Sequence, residues 1–291
     1  MRDREPTIRS RELCEGLRRA MEGAELNGKE AARVLGWSES GVSRLLPGKR
    51  GGSALDVAAF LGACRVQAPE RDRLLALCQD QHIPGWLQQH GARLPKQLMT
   101  LIKHEDKAVA ISDFQPTLIP GLLQTEEYAR AVISRIANVP PEEVDERVIA
   151  RLARQILFSQ ERPARFIFSV HEFALRLPVG GAAVMSDQLH HLLRMSVHSH
   201  ARLRVVPASL GAYAAMTGAF TLMEFTEFKP VIYLESETSS LFLEKREETV
   251  AYRRILAALA GAALGEGESR ELIAAVATEL DADGKDHDDR A

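Results

Sequence analysis

Apolar residues recur every three to four positions through the first eighty residues and about every two positions after residue 165, and that change of period divides the chain. In residues 9–24, Leu13, Leu17, Ala20, Met21 and Ala24 fall on one face with charges between them, which predicts an amphipathic helix. Asn27 precedes the next helix and Glu30 follows it by three residues, the spacing at which each side chain satisfies a backbone N–H of the other residue. That helix ends at Gly36, since glycine adopts the left-handed conformation at the lowest cost. Ser38 caps a third helix with Val42, Leu45 and Leu46 on its apolar side, stopped by Pro47-Gly48. Ser53 opens a fourth, with Leu55, Val57, Ala58, Phe60 and Leu61 inward, and a fifth covers residues 69–80.

Pro84, Gly85, Gly91 and Pro95 interrupt the next stretch, after which a helix is predicted over 94–109 and irregular chain over 114–121. Helices follow over 126–136 and 140–158, the second with Val144, Val148, Ile149, Leu152 and Ile156 inward. The shorter period then predicts strands over 165–170, 203–206, 218–225, 231–235 and 240–244, with helices over 187–198 (capped by Ser186), 247–264 and 269–280. The expected architecture is a mainly α, five-helix helix-turn-helix domain at 1–82, a helical connector at 83–110 and an α+β domain at 111–280 for effector, partner or dimer contacts. Residues 281–291, rich in Asp, Lys, His, Gly and Ala, predict a disordered acidic tail.

Charge refines this division. The formal net charge is −3, which alone argues against a nucleic-acid binder. Residues 1–52 nevertheless hold 11 Lys and Arg against 8 Asp and Glu, so the only net positive part coincides with the predicted helix-turn-helix. Hydrophobic residues make up 45% of the chain, enough for cores that need no disulfide or metal. Cys14, Cys64 and Cys78 form no close pair, which predicts buried thiols in a reducing compartment. With no signal-peptide pattern and no apolar run of ~18 residues, a cytoplasmic protein that does not enter a membrane is expected.

The chemistry is concentrated in residues 30–45. Ala31 and Ala32 allow close helix approach, Gly36 permits the turn, and Val42 and Leu45 bury one side of the following helix. Ser38, Glu39, Ser40, Gly41, Ser43 and Arg44 are left on the other side, the part that enters a major groove in this motif. Arg44 suits guanine or phosphate, and Asn27, Lys29, Lys49 and Arg50 suit contacts that position the domain on the duplex.

The string Glu30-Ala-Ala-Arg-Val-Leu-Gly-Trp-Ser-Glu-Ser-Gly-Val-Ser-Arg-Leu45 resembles the xenobiotic-response-element (XRE), or phage-repressor-like, class of helix-turn-helix regulators. The remaining chain is similar to the WhiJ-like, antitoxin-like regulators of filamentous actinobacteria. The similarity lies in Pro120-Gly-Leu-Leu-Gln-Thr-Glu-Glu-Tyr-Ala-Arg130, Arg151-Leu-Ala-Arg-Gln155, Leu177-Pro-Val-Gly-Gly181, Val205-Val-Pro207 with Gly218-Ala-Phe-Thr221, and Val231-Ile-Tyr-Leu-Glu235 with Leu243-Glu244. The resemblance implies a repressor or activator of nearby genes, encoded beside a small companion protein. Glu39 and Gly41 depart from the usual pattern and weaken the basic character of the reading helix, and Leu46-Pro47 in place of the usual Glu-X is expected to shorten it.

The expected function is a sequence-specific DNA-binding regulator, a homodimer on a double-stranded operator, whose C-terminal domain takes a small-molecule effector or docks a partner. The alternative is an antitoxin-like module that neutralises the companion protein and binds DNA only secondarily. No cofactor or catalytic residue is expected. His190, His191, His198 and His200 lack the acidic or thiol partners of a metal site and read as surface histidines. His171-Glu172 has no nucleophile beside it, and Pro178-Val-Gly-Gly181 reads as a turn. Glu224, Glu235, Glu237 and Glu244 stand at strand ends, where outward-facing carboxylates are favoured over a pocket lining.

Overall fold

Side-chain caps start four of the first five helices. The computed structural model describes residues 7–46, 53–83, 85–89 and 96–288. The Thr7 hydroxyl accepts from Ser10 N–H to start α1 (Ile8–Gly23), and Asn27 and Glu30 form the expected reciprocal box on α2 (Gly28–Leu35). Ser38 caps α3 (Glu39–Leu45), Ser53 and Asp56 form a second box on α4 (Ala54–Ala63), and α5 (Ala68–Asp80) carries proline in its first turn instead. Leu13, Leu17, Val42, Phe60, Leu61 and Leu74 are the centre of one core. Gly16 has no room for a Cβ against Leu74, which makes it the residue that lets α1 approach α5 closely. Leu55, expected inward, is 79% exposed, because it lies in the first turn of α4 on the side away from Val57 and Phe60. Cys14, Cys64 and Cys78 are buried free thiols, and burial pushes each thiol pKa up, Cys14 to about 11.

The chain divides into two compact units, one of Met1–Trp86 with Glu227–Lys229 and Phe242–Lys245, the other of Leu87–Thr226, Pro230–Leu241 and Arg246–Ala291. The excursion at Phe242–Lys245 corrects the expected boundary and has a physical reason. The Glu244 carboxylate accepts from Ile8 N–H at 3.1 Å and Gly85 N–H at 3.0 Å and lies 3.8 Å from Arg11. It therefore binds the N-terminal end of α1, where an anion is favoured, and it is buried there instead of facing outward as expected.

The second unit is built on a seven-stranded sheet, ordered β1-β7-β6-β5-β2-β3-β4. Along the chain it runs β1 (Trp86–Gln89), α6 (Lys96–Lys107), β2 (Ala110–Gln115), α7 (Glu126–Ile133), α8 (Val144–Ala153), β3 (Arg165–His171), α9 (Glu172–Arg176) and α10 (Ala182–Met195). Then come β4 (Ala201–Val206), β5 (Phe220–Glu224), β6 (Val231–Glu235), β7 (Ser239–Leu243), α11 (Arg246–Ala262) and α12 (Glu266–Asp288). β2 is the hinge of the topology, pairing parallel with β3 and antiparallel with β5. A 3₁₀ segment, Arg154–Ser159, extends α8.

Several expectations change. Residues 83–110 are no separate connector: α6 belongs to the second unit, where Glu105 forms a buried pair with Arg154. β1 and β2 carry no clear alternation and were not expected as strands; α10 starts at Ala182, so Ser186 is inside it rather than its cap. Ile149 and Ile156 are about two-thirds exposed, at 67% and 69%. The predicted tail is helical through Asp288, since α12 packs on α10 and Ser186 and His190 hold Asp281. Extending a helix already formed adds one hydrogen bond per residue ordered, so weak composition suffices.

Candidate functional site

α2 and α3 meet across a turn set by one glycine. Gly36 takes the left-handed conformation (φ 66°, ψ 27°), and Trp37 N–H then reaches back to Ala32 C=O at 2.9 Å, closing α2. Ala31 and Ala32, buried and small, leave α3 room to approach. Val42 and Leu45 are buried at 1% and 5%, which fixes the rotation of α3 about its axis. Glu39, Ser40, Ser43 and Arg44 are consequently exposed, with Gly41 half-buried beside them.

The exposed residues do not all have free hands. Ser38 Oγ accepts from Gly41 N–H at 3.1 Å and lies 3.0 Å from Ser40 Oγ, so Ser38 is a cap first. Asn27 is likewise a cap, its oxygen accepting from Lys29 and Glu30 N–H, both at 3.0 Å. Glu39 sits in the first turn of α3, where a carboxylate stabilises the positive end of the helix; that local role accounts for an acid on a face expected to meet phosphates. Arg44 Nε donates to Ser40 C=O at 3.0 Å, one of the five N–H groups of its guanidinium. Lys29 is exposed at the start of α2, and Lys49 and Arg50 lie outside the described residues. Asn27→Ala is expected to lower the stability of the first unit by about 1 kcal/mol, measured by thermal melting. Glu30→Ala should add little on top, because both changes break one reciprocal box; full additivity would mean the two halves are independent.

The other candidates separate. His171 Nδ1 accepts from Phe173 N–H at 3.1 Å and its ring stacks on Tyr213 at 4.9 Å, while Glu172 is held by Arg176 and Ala208 N–H. Those bonds hold the Glu172 carboxyl below the ordinary range. His190 lies 3.4 Å from Asp281 and His198 lies against Phe158, so the histidines do not converge. Among the described residues no group of three or more His, Cys, Asp or Glu is placed to hold a metal ion, and no helix is long and apolar enough to cross a membrane. Glu224 faces outward, paired with Arg253 at 2.6 Å.

Glu235 and Glu237 are exposed, as outward-facing carboxylates are expected to be. They also line a cavity of about 1140 Å³ in the second unit, and the Pro178–Gly181 turn lines it too. Asp113, Arg151 and Arg154 line the same cavity and were not singled out by sequence reasoning. Arg151 and Arg154 did stand in a stretch carrying the family resemblance, the one signal that pointed to them; Asp113 had none, because its strand went unrecognised.

No curated protein and no solved structure matches the chain. Two family patterns do. Residues 12–74 match a helix-turn-helix domain, which spans the capped α2–α3 pair and marks a DNA-binding regulator. Residues 98–275, more than half of the chain, match the family described as a domain of unknown function, DUF5753, and the chain belongs to that family.

Proposed function

We propose that the chain is a sequence-specific transcriptional regulator in which α3 enters the major groove of its operator and the second unit senses an effector or docks a partner. The observation that carries the DNA half is the rotation of α3, which Val42 and Leu45 bury on one side so that Ser40, Ser43 and Arg44 are presented together on the other. Arg44 is the base or phosphate reader, and Lys29, Lys49 and Arg50 take phosphates. Two copies read half-sites about one helical turn apart. The likeness to antitoxin-like regulators favours a small companion protein as the docked partner.

Fluorescence anisotropy tests this with DNA from upstream of the gene encoding the chain, against a scrambled duplex, over a series of salt concentrations. Preference for the upstream DNA is expected, with Arg44→Ala weakening that binding by about 10- to 100-fold. Equal binding to both duplexes that fades together as salt rises would reduce the interaction to phosphate attraction and sink the proposal.

A further inference from the structure

The cavity of the second unit has one wall set by strand register. Across the sheet, Phe168 of β3, Asp113 of β2, Thr221 of β5 and Tyr233 of β6 are direct neighbours in one row, so their side chains share a face. The row turns polar where it reaches the cavity, lined by Asp113, Thr221 and Tyr233, with Gln115 and Glu235 two residues further along β2 and β6. Gln115 Nε2 donates to Asp113 Oδ1 at 2.9 Å, which orients the carboxylate. Leu101, Leu118, Ile119, Val132, Val179 and Phe220 supply apolar surface.

Two arginines three residues apart, Arg151 on α8 and Arg154 in the following turn, share a helical face and line the same cavity. Their situations differ. Arg154 is committed: Nε and Nη2 donate to the two oxygens of Glu105 at 2.8 and 2.6 Å. Arg151 donates from Nη1 to Gln124 Oε1 at 2.9 Å and, among the described residues, has no carboxylate within ion-pairing distance. Gln124 is itself fixed, donating from Nε2 to Ile119 C=O at 2.8 Å, so it aims the guanidinium. Burial pulls the Arg151 pKa down, opposed by the field of Glu235, and the side chain is half-buried at the cavity wall. With a neutral amide as its hydrogen-bond partner, the Arg151 guanidinium keeps N–H donors for an anion entering the cavity. The volume suits a small molecule.

We propose that this cavity binds a small amphipathic organic anion, with Arg151 taking its charged head in a forked contact, the Leu118–Ile119–Val179 surface taking its apolar body, and Asp113 and Glu235 accepting from its hydroxyl or amino groups. This gives a ligand class to the sensing half of the function proposed above and is independent of the DNA half, because its test reads no DNA.

The test titrates the full chain with two dyes that share a ring system, 1-anilinonaphthalene-8-sulfonate and the uncharged N-phenyl-1-naphthylamine, following fluorescence and stoichiometry. The sulfonate is expected to bind once per chain and about tenfold or more tighter than the amine. Arg151→Met should erase that preference while leaving the amine within about threefold, and Arg151→Lys should keep part of it. Equal affinity for the two dyes, several weak sulfonate sites, no binding of either dye, or a preference untouched by Arg151→Met would each overturn the proposal. Circular dichroism checks that the variants fold, and should Arg151→Met not fold, the two-dye comparison on the unaltered chain decides by itself.

Discussion

Arg154→Met is expected to lower the stability of the second unit by about 3–5 kcal/mol, the cost of leaving a buried carboxylate without its cation. The Glu105 side chain is 2% exposed and that of Arg154 11%, so water cannot replace the lost partner. Burial by itself would depress the Arg154 guanidinium, but the Glu105 carboxylate in front of it more than reverses this and holds its pKa above the ordinary value. Differential scanning calorimetry of the full chain reads the effect as a drop of about 10 °C or more in the transition of the second unit. The paired variant Glu105→Leu/Arg154→Met removes both charges together. It should recover to within about 1 kcal/mol of the parent, since replacing an ion pair by apolar groups of similar size is often neutral. A single-variant loss below about 1 kcal/mol, or losses that simply add in the double variant, would show that the two side chains do not depend on each other.

This pair also accounts for part of what sequence reasoning missed. Helix starts were legible because caps are local: Asn27 with Glu30, Ser38 with Gly41 and Ser53 with Asp56 each act within three residues. The buried and exposed sides of α3 followed from Val42 and Leu45 for the same reason. Within 86–115 the helix predicted over 94–109 is present as α6, but the strands β1 and β2 on either side of it were not legible. β2 is the sequence Ala-Ile-Ser-Asp-Phe-Gln, and Asp113 at its centre is a residue that strands disfavour. It sits there because β2 is covered on both sides and its register places Asp113 at the cavity, and local rules are expected to fail at such places. Glu244 was misread for a related reason: its partners, Ile8 and Gly85, are far away along the chain, and nothing near Glu244 announces them. The cavity joins residues as distant as Asp113, Gln124, Arg151 and Glu235, a juxtaposition created by sheet order and by no local pattern.

Asp113→Asn is expected to stabilise the protein above pH 6 and to leave it unchanged near pH 4. Burial pushes the Asp113 carboxyl up from 3.8 to about 6; the Gln115 hydrogen bond and Arg154 pull it down less than burial raises it, and Glu105 adds to the rise. A carboxyl with a raised folded-state pKa binds its proton more tightly folded than unfolded. Its contribution is therefore fully favourable below 3.8, is lost as pH rises toward 6, and stays lost above that. A rise of that size corresponds to about 3 kcal/mol at neutral pH. Asparagine keeps an oxygen for Gln115 Nε2 and carries no charge to desolvate. Melting temperatures of the two proteins should therefore coincide near pH 4 and diverge in favour of the Asp113→Asn variant by about 1–3 kcal/mol at pH 8. A difference that is constant over this range would assign the pH dependence to another group. Divergence would mean that the chain keeps, in the wall of its cavity, a carboxylate that costs stability where asparagine would not. In the ligand site proposed above, a proton donor arriving in the cavity would meet a buried acceptor oriented by Gln115, and that interaction would offset the cost.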